Sequence, residues 1–597
     1  MKNTWKNQVF MWKLCFKTAP GYMLYFIFDA LRYEGMIFVE HVLCIKYVLQ
    51  CAEHGEPLWK PLTFVGIVIL LMAILMIPDG YYGHTWSYRA KPRLYQALKE
   101  QMFEKAAQID LSCYDDPKYY NDFVLAVAES ETSVDRFLDL LRSTVINLTT
   151  IITSGIFFLV ENPVGLIFVF ISFILTFVSA GRLNRLNYNA RMDVNPQERK
   201  RNYSGRVFYL NDYAKEIRLH PEAGKLIRES FEEANQEVCN IQKKYGGKRM
   251  AISFLRNYVF SDFVVNGLYV AYLVYVAAVL KRIDYSTAVV LFNTIDRLRN
   301  SMRRFAELFP KAGENSLYID KIKNFLRLEP TISAGMGQTA KPGTRELCLN
   351  NVSFRYTEDS PEILHNISLK VKPGEHIAIV GYNGAGKTTL IKLLLRLYDP
   401  SEGSIVYGDD DIRNLDVKEY RDRFGVVFQD YKMYGASLAE NVVLSDKSLT
   451  KTVCEEVRAA LEKSGFGERL AQMEQGLETP ITTEFDENGI NLSGGEGQKV
   501  AIARAFYKDA DILAMDEPSS ALDPIAEYNL NKAMHDAAQG KTVFYISHRL
   551  STTRNADRII MLEKGRIIEE GTHEQLLLLN GEYAKMWHAQ AGKYASL

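Results

Sequence analysis

Four stretches of the chain carry no Asp, Glu, Lys, Arg or His: Pro61–Pro78, Ser143–Val160, Asn162–Gly181 and Phe263–Leu280. Each is long enough, as a helix, to cross a hydrocarbon layer of about 30 Å. Two further segments are apolar but interrupted. Gly21 to Gln50 contains Asp29, Arg32, Glu34, Glu40, His41 and Lys46. Tyr285 to Pro310 is clean only as far as Ile295 and then meets Asp296, Arg297, Arg299, Arg303, Arg304 and Glu307. Counting both gives six membrane spans. After Pro330 the pattern changes. A Gly-containing, aperiodic stretch over 331–345 reads as a linker, and beyond it short apolar runs alternate with helical patterns, the signature of an α/β unit with a largely parallel sheet.

The boundaries expected are therefore a transmembrane domain over 1–330, a linker over 331–345 and an α/β domain over 346–597. Loop charge orients the first of these. The N-terminus ahead of the first span is basic, and Arg182–Met250 holds 15 Lys/Arg against 9 Asp/Glu. The connections at Cys51–Lys60 and Glu161–Pro163 are short and slightly acidic. The excess of cations places the N-terminus and 182–250 in the cytoplasm. Six spans then bring the α/β domain to the same side, as expected for a multi-pass protein of the plasma (inner) membrane. The long charged connections at 88–136 and 182–250 read as helices that project into the cytoplasm, with interruptions near Cys113–Asp122 and Leu219–Gly224.

Composition narrows the classes. A length of 597 residues, 47% hydrophobic and 24% charged, excludes fibrous and disordered chains and calls for more than one folding unit. The net charge of -1 gives no basic field for nucleic acid, and no nucleic-acid partner is expected. Seven scattered cysteines form neither a disulfide framework nor a zinc site. The basic N-terminus lacks the apolar core and small-residue cleavage site of a secretory signal.

Candidate chemistry lies in the α/β half. Gly381-Tyr-Asn383-Gly384-Ala-Gly386-Lys387-Thr388 fits the P-loop pattern, with a strand-like run at His376–Val380 before it and a strong helix former, Thr389–Tyr398, after it. Backbone N–H groups of such a glycine turn, with the helix N-terminus, cradle phosphates. The lysine reaches the β/γ-phosphates and the hydroxyl sits on Mg²⁺. Asp511–Met515 reads as a strand ending in Asp516-Glu517, and Thr542–Ser547 as another ending in His548. Polar groups at the C-terminal ends of strands stand where open α/β sheets bind ligands. An Asp there suits Mg²⁺, the next Glu suits polarising a water, and a His suits the γ-phosphate. For His548 the alternative is an ordinary loop histidine.

With Leu492-Ser493-Gly494-Gly495-Glu496 lying between the P-loop and the Asp-Glu strand, the chain resembles the ABC transporters, and its six spans followed by one nucleotide-binding domain resemble an exporter half-transporter. Thr483–Gly489 resembles an exporter segment found just before the signature, with Asp486 and Asn488 departing from it. The resemblance implies that Tyr356 stacks on adenine, although it also reads as an ordinary strand aromatic. It implies that Gly381, Asn383, Gly384, Gly386, Lys387, Thr388 and Thr389 hold the phosphates of ATP. Thr388, Gln429 and Asp516 would support Mg²⁺. Glu517 would be the general base, assisted by Gln429 and His548, with Asp523 in the D-loop. Ser493, Gly494 and Gly495 would contact ATP bound to an opposite subunit, so the resemblance implies a homodimer or a heterodimer with a second half-transporter in the lipid bilayer. It also implies that Asp115–Asp122 and Tyr213–Pro221 are coupling helices, and that ATP binding and hydrolysis drive alternating access.

The cargo is the open question. Ionisable groups inside membrane helices usually face a protein interior or an aqueous cavity. Asp29, Arg32, Glu34, Glu40, Asp296, Arg297, Arg299 and Arg303 therefore either line a polar translocation cavity or pair with one another or lie in cytoplasmic extensions. A peptide or other polar or amphipathic cargo is the preferred reading. No peptidase domain is expected ahead of the spans. Lipid flipping, multidrug efflux and an ATP-gated membrane regulator are the alternatives.

Overall fold

The computed structural model describes residues 2–115, 117–330, 332, 338–358, 360–484, 486–518, 532–534, 539–546 and 553–595. The chain divides into two compact units, one of residues 1–107 and 121–328, the other of residues 108–120 and 329–597.

The first unit is helical. Among the described residues, five helices are long and apolar enough to cross a membrane: Pro20–Glu53, Trp59–Gln108, Ser130–Glu161, Val164–Tyr209 and Pro221–Val279. The helix through Trp59–Tyr81 is apolar all round, and Ile67, Leu70, Ile74 and Ile77 point outward and are exposed. That suits lipid and not water, because a helix closes its own backbone hydrogen bonds and tolerates an apolar surface in hydrocarbon. The sixth expected span is the 42-residue helix Tyr285–Leu326. Its own charges keep it out of the apolar class, yet Val290, Leu291, Ile295 and Leu298 are buried among Phe158, Val265 and Tyr269. Burial against neighbours, not apolar length, holds this helix in the bundle.

The charges of the interrupted spans are mostly paired. Arg32 bonds Asp29 Oδ1 at 2.5 Å and donates to the Leu75 carbonyl at 2.7 Å. Arg142 reaches the other Asp29 oxygen at 3.3 Å. Arg299 bridges Asp262 and Asp296, each at 2.8 Å, and Arg297 bonds Glu34. For Asp29 and Arg32 the pairing alternative is the one realised. Glu34 and Arg297 pair and also line a cavity. Glu40 is exposed beside His41, at 3.7 Å.

The long connections are helical, with breaks close to those expected. Near the first, Ser112–Asp115 and Pro117–Ala128 are helical. Near the second, Asn211–Leu219 is set off by an extended Leu210 (ψ 136°) and by His220, after which Pro221 opens the next helix. A proline costs nothing at that first position because its missing N–H would have no helical partner.

The second unit holds two sheets. The strands are β1 (Leu347–Phe354), β2 (Leu364–Val371), β3 (His376–Gly381), β4 (Glu402–Tyr407), β5 (Asp410–Asp411), β6 (Phe424–Val427), β7 (Ile512–Asp516), β8 (Thr542–Ile546), β9 (Arg558–Glu563) and β10 (Arg566–Gly571). One sheet is antiparallel, in the order β2-β1-β4-β5. The other runs β10-β9-β3-β8-β7-β6, parallel except at its β10 edge. β3, β7 and β8 are buried nearly throughout, as parallel strands covered on both faces must be. The helix Lys387–Leu394 sits in the core between the sheets through Leu390, Ile391, Leu393 and Leu394. A separate helical cluster forms around Leu438, Val457, Leu461, Phe466 and Val500.

Register aligns the ends of the parallel strands. Ile379 of β3 and Asp516 of β7 both pair with Ile546 of β8, and Val427 of β6 pairs with Met515. The residues after these strands therefore emerge on one edge of the sheet. Behind that edge, Arg396 is fully buried and donates to the carbonyls of Leu415 (3.1 Å) and Arg413 (3.2 Å) and to Asp399 (3.2 Å). Arg396→Ala strands these acceptors. It is expected to destabilise the nucleotide unit by about 2–4 kcal/mol, read as a lowered unfolding midpoint with membrane-unit helicity unchanged.

Candidate functional site

Gly381 closes β3 in close contact with β9: a Cβ there would lie 2.2 Å from the Leu562 carbonyl oxygen. Gly384 (φ 78°) and Gly386 (φ 100°) turn the chain through the left-handed region, where a side chain is strained. At Gly386 a Cβ would also meet Leu364 at 2.6 Å. The turn then delivers Lys387 as the first residue of a buried helix. Its ammonium donates to the carbonyls of Gly381 (2.9 Å) and Tyr382 (3.1 Å). Burial pushes the Lys387 pKa down, against the opposing pull of Glu517 and Asp516. A buried ammonium whose hydrogen bonds among the described residues go to neutral carbonyls is poised for an anion.

Around this turn lies a cavity of about 640 Å³, within the range of small-molecule sites. Asn383, Gly384, Gly386, Thr388, Thr389 and Lys387 line one side, and Gln429 and Glu517 face them. Thr388 donates its hydroxyl to Asp516 Oδ2 at 2.8 Å, so a hydroxyl and a carboxylate oxygen converge. Gln429 Nε2 donates to Glu517 Oε2 at 3.1 Å. Glu517 has φ 50°, and its N–H is held by the Ile546 carbonyl at 2.9 Å. A non-glycine residue in this region, at the end of a buried strand, is a strained position of the kind found at functional sites. Gln498 is a contributor that the motifs do not mark. It is buried and donates to the Glu517 carbonyl at 3.1 Å, bracing the same turn from the signature helix. Its spacing on the buried face of that helix is the available signal.

Tyr356 stands beside the cavity, not among its lining residues. Its hydroxyl lies 3.1 Å from Thr389 Oγ1, and its ring is edge-on to Tyr398 at 5.2 Å with the Lys392 ammonium 5.5 Å away. Within this unit Tyr398 also donates to Asp115 of the 108–120 segment. His548 and Asp523 lie outside the described residues.

Ser493, Gly494 and Gly495 are absent from this cavity's wall. They open the 15-residue helix Gly494–Lys508, capped by a reciprocal box: Ser493 N–H and Oγ–H both donate to Glu496 Oε2 at 2.8 Å, and Glu496 N–H donates back to Ser493 Oγ at 3.4 Å. Such a cap is worth about 1 kcal/mol. It explains the carboxylate at the fifth signature position. Burial pushes the Glu496 carboxyl up, but its Ser493 bonds and Arg469 (2.9 Å) outweigh that and hold it below the usual range. Tyr431 donates to the Gly494 carbonyl and packs where a Cβ at Gly497 would sit, 2.9 Å away. Ser493 and Gly494 are exposed, with the positive end of the helix dipole behind them.

Residues 364–520 match the ABC transporter family model. Over 354 residues the chain is 32% identical to an ATP-dependent lipid A-core flippase of Saccharophagus degradans, covering 59% of this chain and 58% of that protein. Over 311 residues it is 35% identical to the heavy metal tolerance protein of Schizosaccharomyces pombe, covering 51% and 36%. The chain thus spans about half the length of the curated relatives it matches, or less. The solved structure of a bacterial Atm1-family ABC exporter with ATP bound superposes with a TM-score of 0.75 over 96% of this chain and 98% of that one, at 23% identity. The family match lies within the second unit, and the chain as a whole shares the fold of that solved exporter structure.

Gly381→Ala tests the phosphate turn. The clash with Leu562 costs about 1–3 kcal/mol of overpacking. If it is relieved by displacing the turn, ATP binding should weaken by about 10- to 100-fold in a fluorescent-nucleotide titration.

Proposed function

We propose that the chain is an ATP-driven exporter half-transporter that works as a dimer and moves a polar or amphipathic cargo from the cytoplasmic side outward. The observation that carries this is the meeting of Lys387, Thr388, Asp516, Gln429 and Glu517 at one sheet edge, on a chain with the exporter fold. The N-terminus and the nucleotide unit lie in the cytoplasm, on the basic side of the spans, in the plasma (inner) membrane.

ATP places its phosphates over the glycine turn. Lys387 exchanges its two carbonyl partners for the β/γ-phosphates, and the N–H groups of Gly384 to Thr389 add donors at the helix start. Tyr356 is the adenine platform, held by Thr389 and Tyr398. Thr388, Asp516 and Gln429 offer a few hard oxygen donors, which fits an ion that takes its remaining ligands from phosphate and water. Bound there, Mg²⁺ supplies charge neutralisation on the phosphates. Glu517 orients and deprotonates the attacking water, and Gln429, already bonded to its carboxylate, positions that base.

Ser493 and Gly494 are exposed, Gly495 is half-buried, and all three lie outside the chain's own cavity, so they complete the site of a second subunit. This chain has both Glu517 and the whole signature, so a second copy of it forms two competent sites. Clamping ATP between the two copies favours the closed state. Shifting a two-state equilibrium from 1:99 to 99:1 takes about 5.5 kcal/mol of differential binding. Hydrolysis releases that clamp and resets the transporter. The flippase reading is the second one, favoured by relatives that bear that name.

Glu517→Gln keeps the Gln429 contact geometry but removes the base. Steady-state ATPase of the chain in lipid nanodiscs is expected to fall about 10²- to 10⁴-fold, with ATP retained on the protein. Turnover close to that of the unmodified chain would refute the general-base assignment.

A further inference from the structure

Within the helical unit, one face of the helix Tyr285–Leu326 carries a polar stripe where a membrane helix would be expected to be apolar. Asn293, Arg297, Asn300 and Arg304 recur at intervals of three to four residues and so share one side of the helix. With Glu34 and His41 from Pro20–Glu53, and Asn147 and Thr150 from Ser130–Glu161, they line a cavity of about 580 Å³.

Its polar groups are only partly satisfied. Arg297 bonds Glu34 through Nη2, and Thr150 donates to the same carboxylate oxygen at 2.6 Å. Arg297 Nη1 is buried with no hydrogen-bond partner among the described residues. Asn147 is 4% exposed; its Nδ2 donates to the Ser143 carbonyl at 2.6 Å, but its Oδ1 is buried and likewise unpartnered. A buried donor and a buried acceptor thus lie in one cavity wall, and each is costly to leave unmade. Glu34 is the one carboxylate among the described lining residues and is neutralised by Arg297, so Arg304 leaves the wall with a surplus positive charge.

We propose that this cavity binds the anionic end, a carboxylate or phosphate, of a polar molecule that also carries a hydrogen-bond donor. The anion engages Arg297 Nη1 under the field of Arg304, the donor engages Asn147 Oδ1, and the amides of Asn293 and Asn300 complete the polar wall. The Glu34 pair is not itself the anchor. It holds the guanidinium at the cavity wall with Nη1 left unmade. A purely apolar solute would leave both buried groups unmade and is disfavoured. The inference narrows the cargo class of the exporter reading and rests on that reading only for the direction of movement.

The test needs no turnover, so its failure is separable from failure of the ATPase experiment. Asn293 is exposed to the cavity, and Asn293→Cys is a mild change in the otherwise unmodified full chain. In phosphatidylcholine nanodiscs its labelling by anionic ethylsulfonate methanethiosulfonate is compared with that by the cationic trimethylammonium reagent. Both are read by peptide mass spectrometry against the exposed native Cys239. The anionic reagent should be favoured by about tenfold relative to Cys239, and Arg304→Gln should abolish the bias. Should Asn293→Cys fail to fold, Asn300→Cys gives the same comparison.

Inorganic phosphate at tens of millimolar should slow labelling if the anion arrives from solution. Phosphatidylglycerol in the disc should do so, with phosphate ineffective, if it arrives as a lipid headgroup. No anionic bias, a bias that survives Arg304→Gln, or protection by neither anion would overturn the proposal.

Discussion

The nucleotide unit depends on one close approach, that of Gly381 to the Leu562 carbonyl. β3 ends against β9 with no room for a side chain, and the chain must leave the sheet there through a turn that only glycines take easily. That turn aims backbone N–H groups and the start of the Lys387–Leu394 helix at a single point. The parallel register then decides what else reaches it. Because Asp516 pairs with Ile546 and Val427 with Met515, the residues after β6 and β7 emerge beside the turn. Gln429 and Glu517 meet without any long-range reach.

The helical unit answers a different constraint. Hydrocarbon supplies no hydrogen-bond partners, so each charge carried into a membrane helix must find one inside the protein. Asp29 does so twice, through Arg32 and Arg142, and Arg32 also takes the Leu75 carbonyl. Pairs of this kind tie helices to one another and are costly to break, because the partner left behind is a buried charge. Arg297 and Glu34 differ in degree: the pair is made, yet it borders open space and leaves donor capacity unused. What sets this pair apart from the others is the open space it borders, not its presence in a span.

Much of the nucleotide site is legible in the sequence because its residues are local. Gly381 to Thr388 is one turn, and Asp516-Glu517 ends one apolar strand. The strands at His376 and Thr542 fall within a residue of expectation. Non-local roles are not legible. Gln498 braces Glu517 from a helix that the sequence marks only by its signature, and Tyr398, packed on Tyr356, reaches Asp115 across 283 positions of chain. In the helical unit, apolar length finds the spans, but sequence cannot choose between paired and cavity-lining roles for Asp29 and Arg297. That choice rests on which helices are neighbours. The Tyr285–Leu326 helix shows the limit of apolar counting, since its place comes from burial against Phe158 and Tyr269.

In the proposed dimer each ATP site is built from two chains, the phosphate turn of one and the signature helix of the other. The most direct measurement mixes two full-length variants, Lys387→Ala and Gly495→Asp, during reconstitution and monitors ATPase activity. Each alone should be inactive, since every site in it is damaged. A mixed dimer holds one site with both defects and one with neither, so activity should reappear on mixing. If the two variants co-purify as a dimer and activity does not return, the turn and the signature do not act across subunits, and the shared-site account is wrong.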